Sequence, residues 1–239
     1  MKYSIIIPAY NEAARLGATL ERVLEYIRIQ HWDVEVIVVN DGSRDNTAEL
    51  VRDFASTNPV LRLLENPGNH GKGYSVRNGM LHAHGEILLF SDADLSSPIE
   101  EAPKLFAAIE SGADVAIGSR WLQPELQKQR QSALRQVYGR IFNLALRVLL
   151  GLKFKDTQCG FKAFTRSSAL AIFPLQKIER WGFDPELLYL ARRKKLRVTE
   201  VPVEWSHQEG TRISPLRDGL RMFTEALKVR WNALIGKYS

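Results

Sequence analysis

VIVVNDGS at residues 36–43 is an apolar run that ends in Asn, Asp, Gly and Ser, and ILLFSDAD at residues 87–94 repeats this arrangement. In open α/β sheets the ligand lies beyond the carboxyl ends of the strands, so carboxylates placed there point towards a ligand. Asp92 and Asp94 are two residues apart, which lets both contact one hard cation. We therefore expect a Mg²⁺ or Mn²⁺ site suited to a diphosphate substrate. For any one of these acids alone, the preferred interpretation would be a solvated residue at the end of a strand.

The first half of the chain alternates apolar strand patterns with helical patterns. Strands are predicted at 3–8, 34–40, 61–65, 86–91 and 115–118, and helices at 13–30, 47–56, 73–83 and 100–111. Such alternation predicts an α/β fold with a parallel sheet built from βαβ units. The strands read as continuous apolar runs, which indicates a Rossmann-like sandwich with helices on both faces.

The second half of the chain lacks this regular alternation of strand and helix patterns. Helices are predicted at 132–152, 185–194 and 215–235, with one short strand at 197–203. The chain of 239 residues shows no internal repeat, low-complexity segment or linker. We therefore expect a single domain, 1–239, whose second half is specialised.

Composition and charge limit the classes of partner. Cys159 is the only cysteine, which excludes a disulfide framework and fits a reducing cytosol. The sequence starts in a strand pattern, and no apolar run approaches the ~18 residues of a membrane span. We expect a cytoplasmic chain that is soluble or peripheral on a membrane. Residues 120–166 carry ten Lys and Arg against two acids, which indicates an anionic partner. No nucleic-acid motif accompanies this basic stretch, so nucleic acid is not expected.

A Gly-Lys-Gly sequence at residues 71–73 follows one predicted strand and opens a helix. It lacks the spacing of a Walker motif and the third glycine of a dinucleotide fingerprint. Two glycines beside Lys72 still let backbone and ammonium approach a phosphate. The alternative is that these residues only begin the helix.

The predicted helix 132–152 has an apolar face wider than one stripe, together with Arg135, Arg140 and Arg147. A basic helix with excess apolar surface is typical of a membrane interface. Core packing or a homodimer interface is an equally open interpretation.

Three motifs in this order resemble family 2 glycosyltransferases of GT-A fold: PAYNE at 8–12, NDGS at 40–43 and DAD at 92–94. The resemblance covers roughly residues 3–210. Finer motifs are similar to the dolichyl-phosphate β-glucosyltransferase branch; they lie at 66–77, 91–98, 118–120, 156–162 and 181–186. Ser96 stands where the related mannosyl synthases usually carry Gln, which favours the glucosyl branch.

The resemblance implies a nucleotide-sugar-binding half at 1–120, an acceptor-side half at 121–210 and a C-terminal amphipathic helix at 211–239. It implies that Asp94 binds the metal with Asp92, and that Arg212 closes over the donor diphosphate. The other donor-side positions that it implies are Pro8, Ala9, Tyr10, Glu12, Asp41, Lys72 and Ala93.

On the acceptor side, Arg120, Arg135 and Lys162 match positions where the family gathers positive charge for a phosphate. The implied reaction is a metal-dependent, inverting transfer of glucose from UDP-glucose to a polyprenyl phosphate. A hydroxyl acceptor would need a general base, for which Asp156 is preferred over Asp184. Alternatives are a soluble enzyme with a hydroxyl acceptor, a GDP-mannose or UDP-GlcNAc donor, or a nucleotide-sugar-binding or membrane-adaptor protein without turnover.

Overall fold

The computed structural model describes residues 1–129, 133–207 and 215–238; for residues 129, 133–138 and 215–218 it describes the backbone alone. The strands in these ranges are β1 Tyr3–Ala9, β2 Val34–Asn40, β3 Leu61–Glu65, β4 Ile87–Ser91, β5 Val115–Ser119, β6 Gln127–Gln129, β7 Phe161–Thr165, β8 Val198–Pro202 and β9 Trp205–Ser206. The helices are α1 Ala13–Ile29, α2 Thr47–Thr57, α3 Lys72–His82, α4 Ala102–Glu110, α5 Ala133–Leu150, α6 Arg166–Ile172, α7 Phe183–Arg193 and α8 Pro215–Leu234.

Seven strands form one central sheet in the order β3-β2-β1-β4-β7-β5-β8. All neighbours in it are parallel except β7, which is antiparallel to both β4 and β5. Ile5 of β1 pairs with Val36 on one side and Leu89 on the other, so β1 lies inside the sheet. The predicted α/β sandwich with a mostly parallel sheet is confirmed.

Helices cover both faces of the sheet. Ile5 and Ile7 pack with α1, α2 and α4, whereas Ile6 packs with α3 and helices α5 to α8. Because neighbouring strand residues point to opposite faces, a strand buried on both sides must be apolar throughout. This is why residues 5–9 of β1 and 36–39 of β2 read as continuous apolar runs.

Strand β7 was not predicted. Its sequence, FKAFT, is short and carries Lys162 at its second position, so it lacks a clear strand pattern. It lies between β4 and β5 and therefore brings a segment from beyond residue 120 into the middle of the sheet. The expected donor and acceptor halves consequently share one sheet.

The carboxyl ends of β1, β2 and β4 meet at one edge of the sheet, because the three strands are parallel neighbours. PAYNE, NDGS and DAD each contain or follow the last residue of one of these strands. In the described part of the chain, no helix is long and apolar enough to cross a membrane.

Candidate active site

A cleft of about 510 Å³ opens at this edge of the sheet. Arg120, which was expected on the acceptor side, lines this cleft together with the donor-side residues. Asp184, a candidate general base, also lines it. Arg212 and the side chain of Arg135 lie outside what the structure describes. The donor-side residues in its wall are Pro8, Ala9, Tyr10, Glu12, Asp41, Lys72, Asp92, Ala93 and Asp94.

A tight turn follows β4 and carries both aspartates. The amide of Leu95 donates to the carbonyl of Asp92 at 3.1 Å, and the amide of Ser96 donates to Oδ1 of Asp94 at 2.9 Å. Leu95 has a φ of 46°, a left-handed conformation that is uncommon for a side chain of this kind. Such strain is held in place by surrounding structure and concentrates at functional sites. The turn therefore fixes where the Asp94 carboxylate points.

Lys72, the first residue of α3, forms an ion pair with Asp92. The rings of Trp181 and Phe183 lie 5.6 and 5.8 Å from its ammonium. Burial lowers the pKa of Lys72, but Asp92 and Asp184 outweigh burial and raise it above its usual value. Lys72 is therefore a permanent positive charge in the cleft.

The aspartate pair fits a divalent ion. Carboxylate oxygens are the ligands that Mg²⁺ and Mn²⁺ prefer. Among the residues that the structure describes, Oδ2 of Asp94 has one long ion pair, 3.8 Å to Arg15. Within the ranges that the structure describes, no three His, Cys, Asp or Glu side chains converge on one metal position. The two aspartates would thus share an ion with substrate oxygens and water, which is common for Mg²⁺.

Asp41 organises the loop that precedes α3. Its carboxylate accepts hydrogen bonds from the amides of His70 and Gly71, at 3.1 and 2.7 Å, and from Nδ2 of Asn66 at 2.8 Å. The side chain is buried at the end of β2 and still lines the cleft. Asp41 therefore shapes the loop that carries Lys72, a role that the sequence motif alone did not reveal.

The carboxylate of Asp156 binds the guanidinium of Arg120. Its carboxylate accepts from Nε and Nη2 of Arg120 at 2.6 and 2.8 Å, and from the amides of Arg120 and Gln158 at 3.1 Å each. Burial raises the pKa of Asp156, but Arg120 outweighs burial and holds it below its usual value. A carboxylate that is fully occupied and hard to protonate is a poor proton acceptor. These contacts argue against the predicted preference for Asp156 as general base.

Lys162 was expected to face the acceptor phosphate. Its side chain is fully buried in β7, and its ammonium donates to the carboxylate of Asp184 and the carbonyl of Cys159. Full burial and the ion pair with Asp184 argue against direct contact between Lys162 and an acceptor phosphate. Asp184, at the start of α7, lines the cleft, and burial raises its pKa although Lys162 and Lys72 oppose the shift. Of the two candidate bases, only Asp184 lies in the cleft wall.

Sequence reasoning missed several residues of the site. Arg15 pairs with Glu12 and approaches Asp94. The available signal was its position three residues after Glu12, in the first turn of the predicted helix 13–30. Trp121 and Trp205 flank the guanidinium of Arg120 at 5.8 and 5.5 Å. No local sequence pattern places these tryptophans in the site, because β9, which contains Trp205, and the segment after β5, which contains Trp121, meet only in the folded chain.

Comparison with solved structures shows the GT-A fold. Glucosyl-3-phosphoglycerate synthase from Mycobacterium tuberculosis, in complex with Mn²⁺, UDP-glucose and phosphoglyceric acid, superposes with a TM-score of 0.69. It is 20% identical, and the match covers 99% of this chain and 79% of that one. The UDP complex of that enzyme gives 0.68, with 95% of this chain covered.

The chain belongs to glycosyl transferase family 2, whose model matches residues 4–173. It is therefore a glycosyltransferase, as expected. A dolichyl-phosphate β-glucosyltransferase of Trichomonas vaginalis is 40% identical over 85% of this chain, which spans 63% of that protein's length. The human protein of the same name is 33% identical over 98% of this chain, which spans 76% of its length.

Proposed function

We propose that this protein transfers glucose from UDP-glucose to a dolichyl-type polyprenyl phosphate, with inversion and with Mg²⁺ or Mn²⁺. The observation that carries the proposal is one cleft lined by the Asp92–Lys72 pair, Asp94 and the Arg120 guanidinium. Similarity to dolichyl-phosphate β-glucosyltransferases supports the acceptor and the sugar. A neighbour's complex with Mn²⁺ and UDP-glucose supports the donor and the metal.

On the donor side, the residues act on the leaving group. Asp92 and Asp94 would hold a divalent ion, which when bound offsets negative charge on the diphosphate. Lys72 adds a fixed positive charge that needs no reorganisation when the glycosidic bond breaks. Pro8 and Ala9 at the end of β1, and Tyr10 directly after it, line the cleft and would surround the nucleoside.

On the acceptor side, Arg120 offers a planar guanidinium, the group that best matches phosphate geometry. A phosphate oxygen of the acceptor forms the bond to the anomeric carbon. The bond from that carbon to UDP breaks on the opposite face, and its electron pair leaves with the diphosphate. The attacking oxygen is already anionic, so no base is needed.

A hydroxyl acceptor is the second candidate, and the observation that favours it is Asp184. This carboxylate lies in the wall of the cleft, and burial raises its pKa, which suits a group that takes up a proton. In that reaction Asp184 removes the hydroxyl proton as the new bond forms. Its ion pair with Lys162 opposes this role, which is why the phosphate acceptor is preferred.

A donor-by-acceptor screen tests the proposal. UDP-glucose, UDP-GlcNAc and GDP-mannose are each incubated with a short, water-soluble prenyl phosphate or with the matching prenyl alcohol, and products are read by mass spectrometry. We expect a glucosyl phosphate product only from UDP-glucose and the phosphate, and only with added Mg²⁺ or Mn²⁺. Efficient transfer to the alcohol would instead establish the hydroxyl reaction. Transfer from another donor, or undiminished transfer in excess EDTA, would overturn the proposed sugar or the metal.

A further inference from the structure

The first turn of α3, which carries Lys72, is capped by a loop from the other half of the chain. Residues 176–182 form this loop, which leads into α7, and we call it the supporting loop. The first amides of a helix have no partner within the helix, and Gly71 before α3 has no side chain to cap them. The carbonyl of Glu179 takes this place, because it accepts from the amide of Tyr74 at 2.9 Å.

Backbone packs directly on backbone at this contact. A Cβ atom on Gly73 would lie 2.7 Å from the carbonyl oxygen of Ile178 and 3.0 Å from that of Arg180. The side chain of Gln176 is fully buried, and its Nε2 donates to the carbonyls of Gly73 and Ile178 at 2.9 and 2.8 Å. A displacement of the supporting loop must therefore displace the start of α3.

The supporting loop also surrounds the side chain of Lys72. Trp181 belongs to the loop and Phe183 follows it, and their rings lie 5.6 and 5.8 Å from the ammonium. The loop therefore sets both the backbone position and the surroundings of the cation that pairs with Asp92.

Glu186 of α7 binds the beginning of the supporting loop. Its Oε1 accepts from the amide of Lys177 at 3.0 Å, and its Oε2 accepts from the amide of Ile178 at 2.9 Å. Glu186 is fully buried, and the hydroxyl of Tyr238, which is 2% exposed, also donates to Oε1. A tyrosine that follows α8 in the sequence thus holds the carboxylate that holds the loop.

Burying an acid this completely is unfavourable by itself. Burial raises the pKa of Glu186, although the bonds from Tyr238 and from the two loop amides oppose the shift. A buried carboxylate is tolerated where hydrogen bonds replace its lost hydration. Because two of these bonds come from the supporting loop, the carboxylate is satisfied only while the loop keeps this position.

We propose that Glu186, held by Tyr238, is a positioning residue for Lys72. It keeps the supporting loop against the first turn of α3, and so keeps the ammonium where the leaving diphosphate binds. The inference rests on the proposed function, which gives Lys72 that role. Neither Glu186 nor Tyr238 lines the cleft, so their effect passes through the loop. A displacement of about 1 Å in a preorganised cation is enough to slow a reaction strongly.

A double-mutant cycle with Lys72 tests the positioning role. Glu186→Gln places an amide donor opposite a backbone amide, so it should weaken UDP binding and lower kcat by about fivefold or more each. In a Lys72→Met background the same change should alter neither by more than about twofold, because the cation that it positions is gone. Tyr238→Phe should give a smaller loss of the same kind, and it replaces Glu186→Gln in the cycle where that variant does not fold. Calorimetry and steady-state kinetics with UDP-glucose measure these effects.

Glu35→Gln is the matched control. The carboxylate of Glu35 is also buried, at 5% exposure, and accepts from the amide of His84 at 2.6 Å and the hydroxyl of Ser4 at 2.7 Å. It lies near the start of β2, at the end of the sheet opposite the cleft. The control should lower the thermal unfolding midpoint, yet leave UDP affinity and kcat within about twofold of wild type.

Hydrogen exchange without substrate provides an independent measurement. Glu186→Gln should speed amide exchange in a peptide that contains Tyr74, whereas Glu35→Gln should not. Unchanged exchange there would overturn the positioning role, as would equal losses from Glu186→Gln with and without Lys72. Faster exchange in Glu186→Gln, combined with no glucosyl product from the wild type, would count against the proposed function alone. Wild-type transfer of glucose combined with unchanged exchange in the variant would count against the positioning role alone.

Discussion

Arg120 is held by Asp156 through Nε at 2.6 Å and Nη2 at 2.8 Å, with the carboxylate buried and the guanidinium in the cleft wall. The bidentate geometry fixes the plane of the guanidinium, and the rings of Trp121 and Trp205 flank it. A cation already oriented in this way loses little freedom when it binds an acceptor anion. Asp156 is thus a positioning residue for Arg120.

Asp156→Asn and Arg120→Lys should therefore share one defect. We expect each single change to lower kcat/KM for the acceptor by about tenfold or more, because a misplaced cation loses bidentate recognition. The double variant should be no worse than the poorer single variant, as expected for residues that act as a unit. Steady-state kinetics with varied acceptor measure this.

Two controls accompany this comparison of the single and double variants. UDP affinity should stay within about twofold of wild type, because the donor side is untouched. A pH profile distinguishes positioning from base catalysis. The pKa of Asp156 lies below its usual value, so the carboxylate is ionised throughout neutral pH. An acid limb near neutrality that Asp156→Asn abolishes would show that Asp156 accepts a proton after all.

Asp94→Ala should reduce turnover by on the order of 10²-fold or more, because it removes a carboxylate from the metal pair. Among the described residues, its side chain contacts the amide of Ser96 at 2.9 Å and Arg15 at 3.8 Å, so folding should be nearly unchanged. Metal titration of activity and thermal unfolding measure the two effects. Asp53→Ala removes an exposed acid of α2 and serves as control. Equal metal dependence in the Asp94 variant and the wild type would contradict the assignment.

Asp41→Ala should weaken UDP binding by about tenfold, because the loop before α3 loses the bonds from the amides of His70 and Gly71. The turnover number at saturating donor should fall less than the affinity. Calorimetry with UDP and saturation kinetics separate the two. An unchanged dissociation constant would remove Asp41 from the donor site.

Lys162→Met should lower the free energy of unfolding by about 3–5 kcal/mol, because it leaves the Asp184 carboxylate buried without its partner. Lys104→Met is the matched control. Its pair with Glu101 measures 2.6 Å, but the lysine is 45% exposed, and surface pairs contribute about 0–1 kcal/mol. Urea unfolding of both variants decides this, and equal effects would show that the buried pair has no special role.

Cys159 should resist alkylation in the folded protein. Burial, and to a smaller extent the negative charge of Asp156, raises the pKa of its thiol to about 11. The side chain is 2% exposed. Roughly one thiol in a thousand is then ionised at pH 8, and the thiolate is the reactive form. Labelling at pH 8 should proceed at least about 10²-fold faster in urea than in buffer. Rapid stoichiometric labelling of the folded chain would contradict the burial.

The sequence alone predicted strands β1 to β5 and helices α1 to α4 closely, because these elements depend on local pattern. Continuous apolar runs mark strands covered on both faces, and the turn residues mark where each run stops. The same local logic located Asp41, Asp92 and Asp94, since the carboxyl ends of parallel strands meet at one edge of the sheet.

Only the tertiary structure decided the surroundings of Asp156, Lys162 and Asp184. All three are charged residues near a predicted acceptor site, and sequence spacing does not say which side chain is buried or which cation it meets. Insertion of β7 between β4 and β5 buries Lys162 and brings it to Asp184, 22 positions away in the sequence. Arg120 and Asp156, 36 positions apart, meet for the same reason. Such contacts depend on long-range strand pairing, which the local pattern of a sequence does not encode.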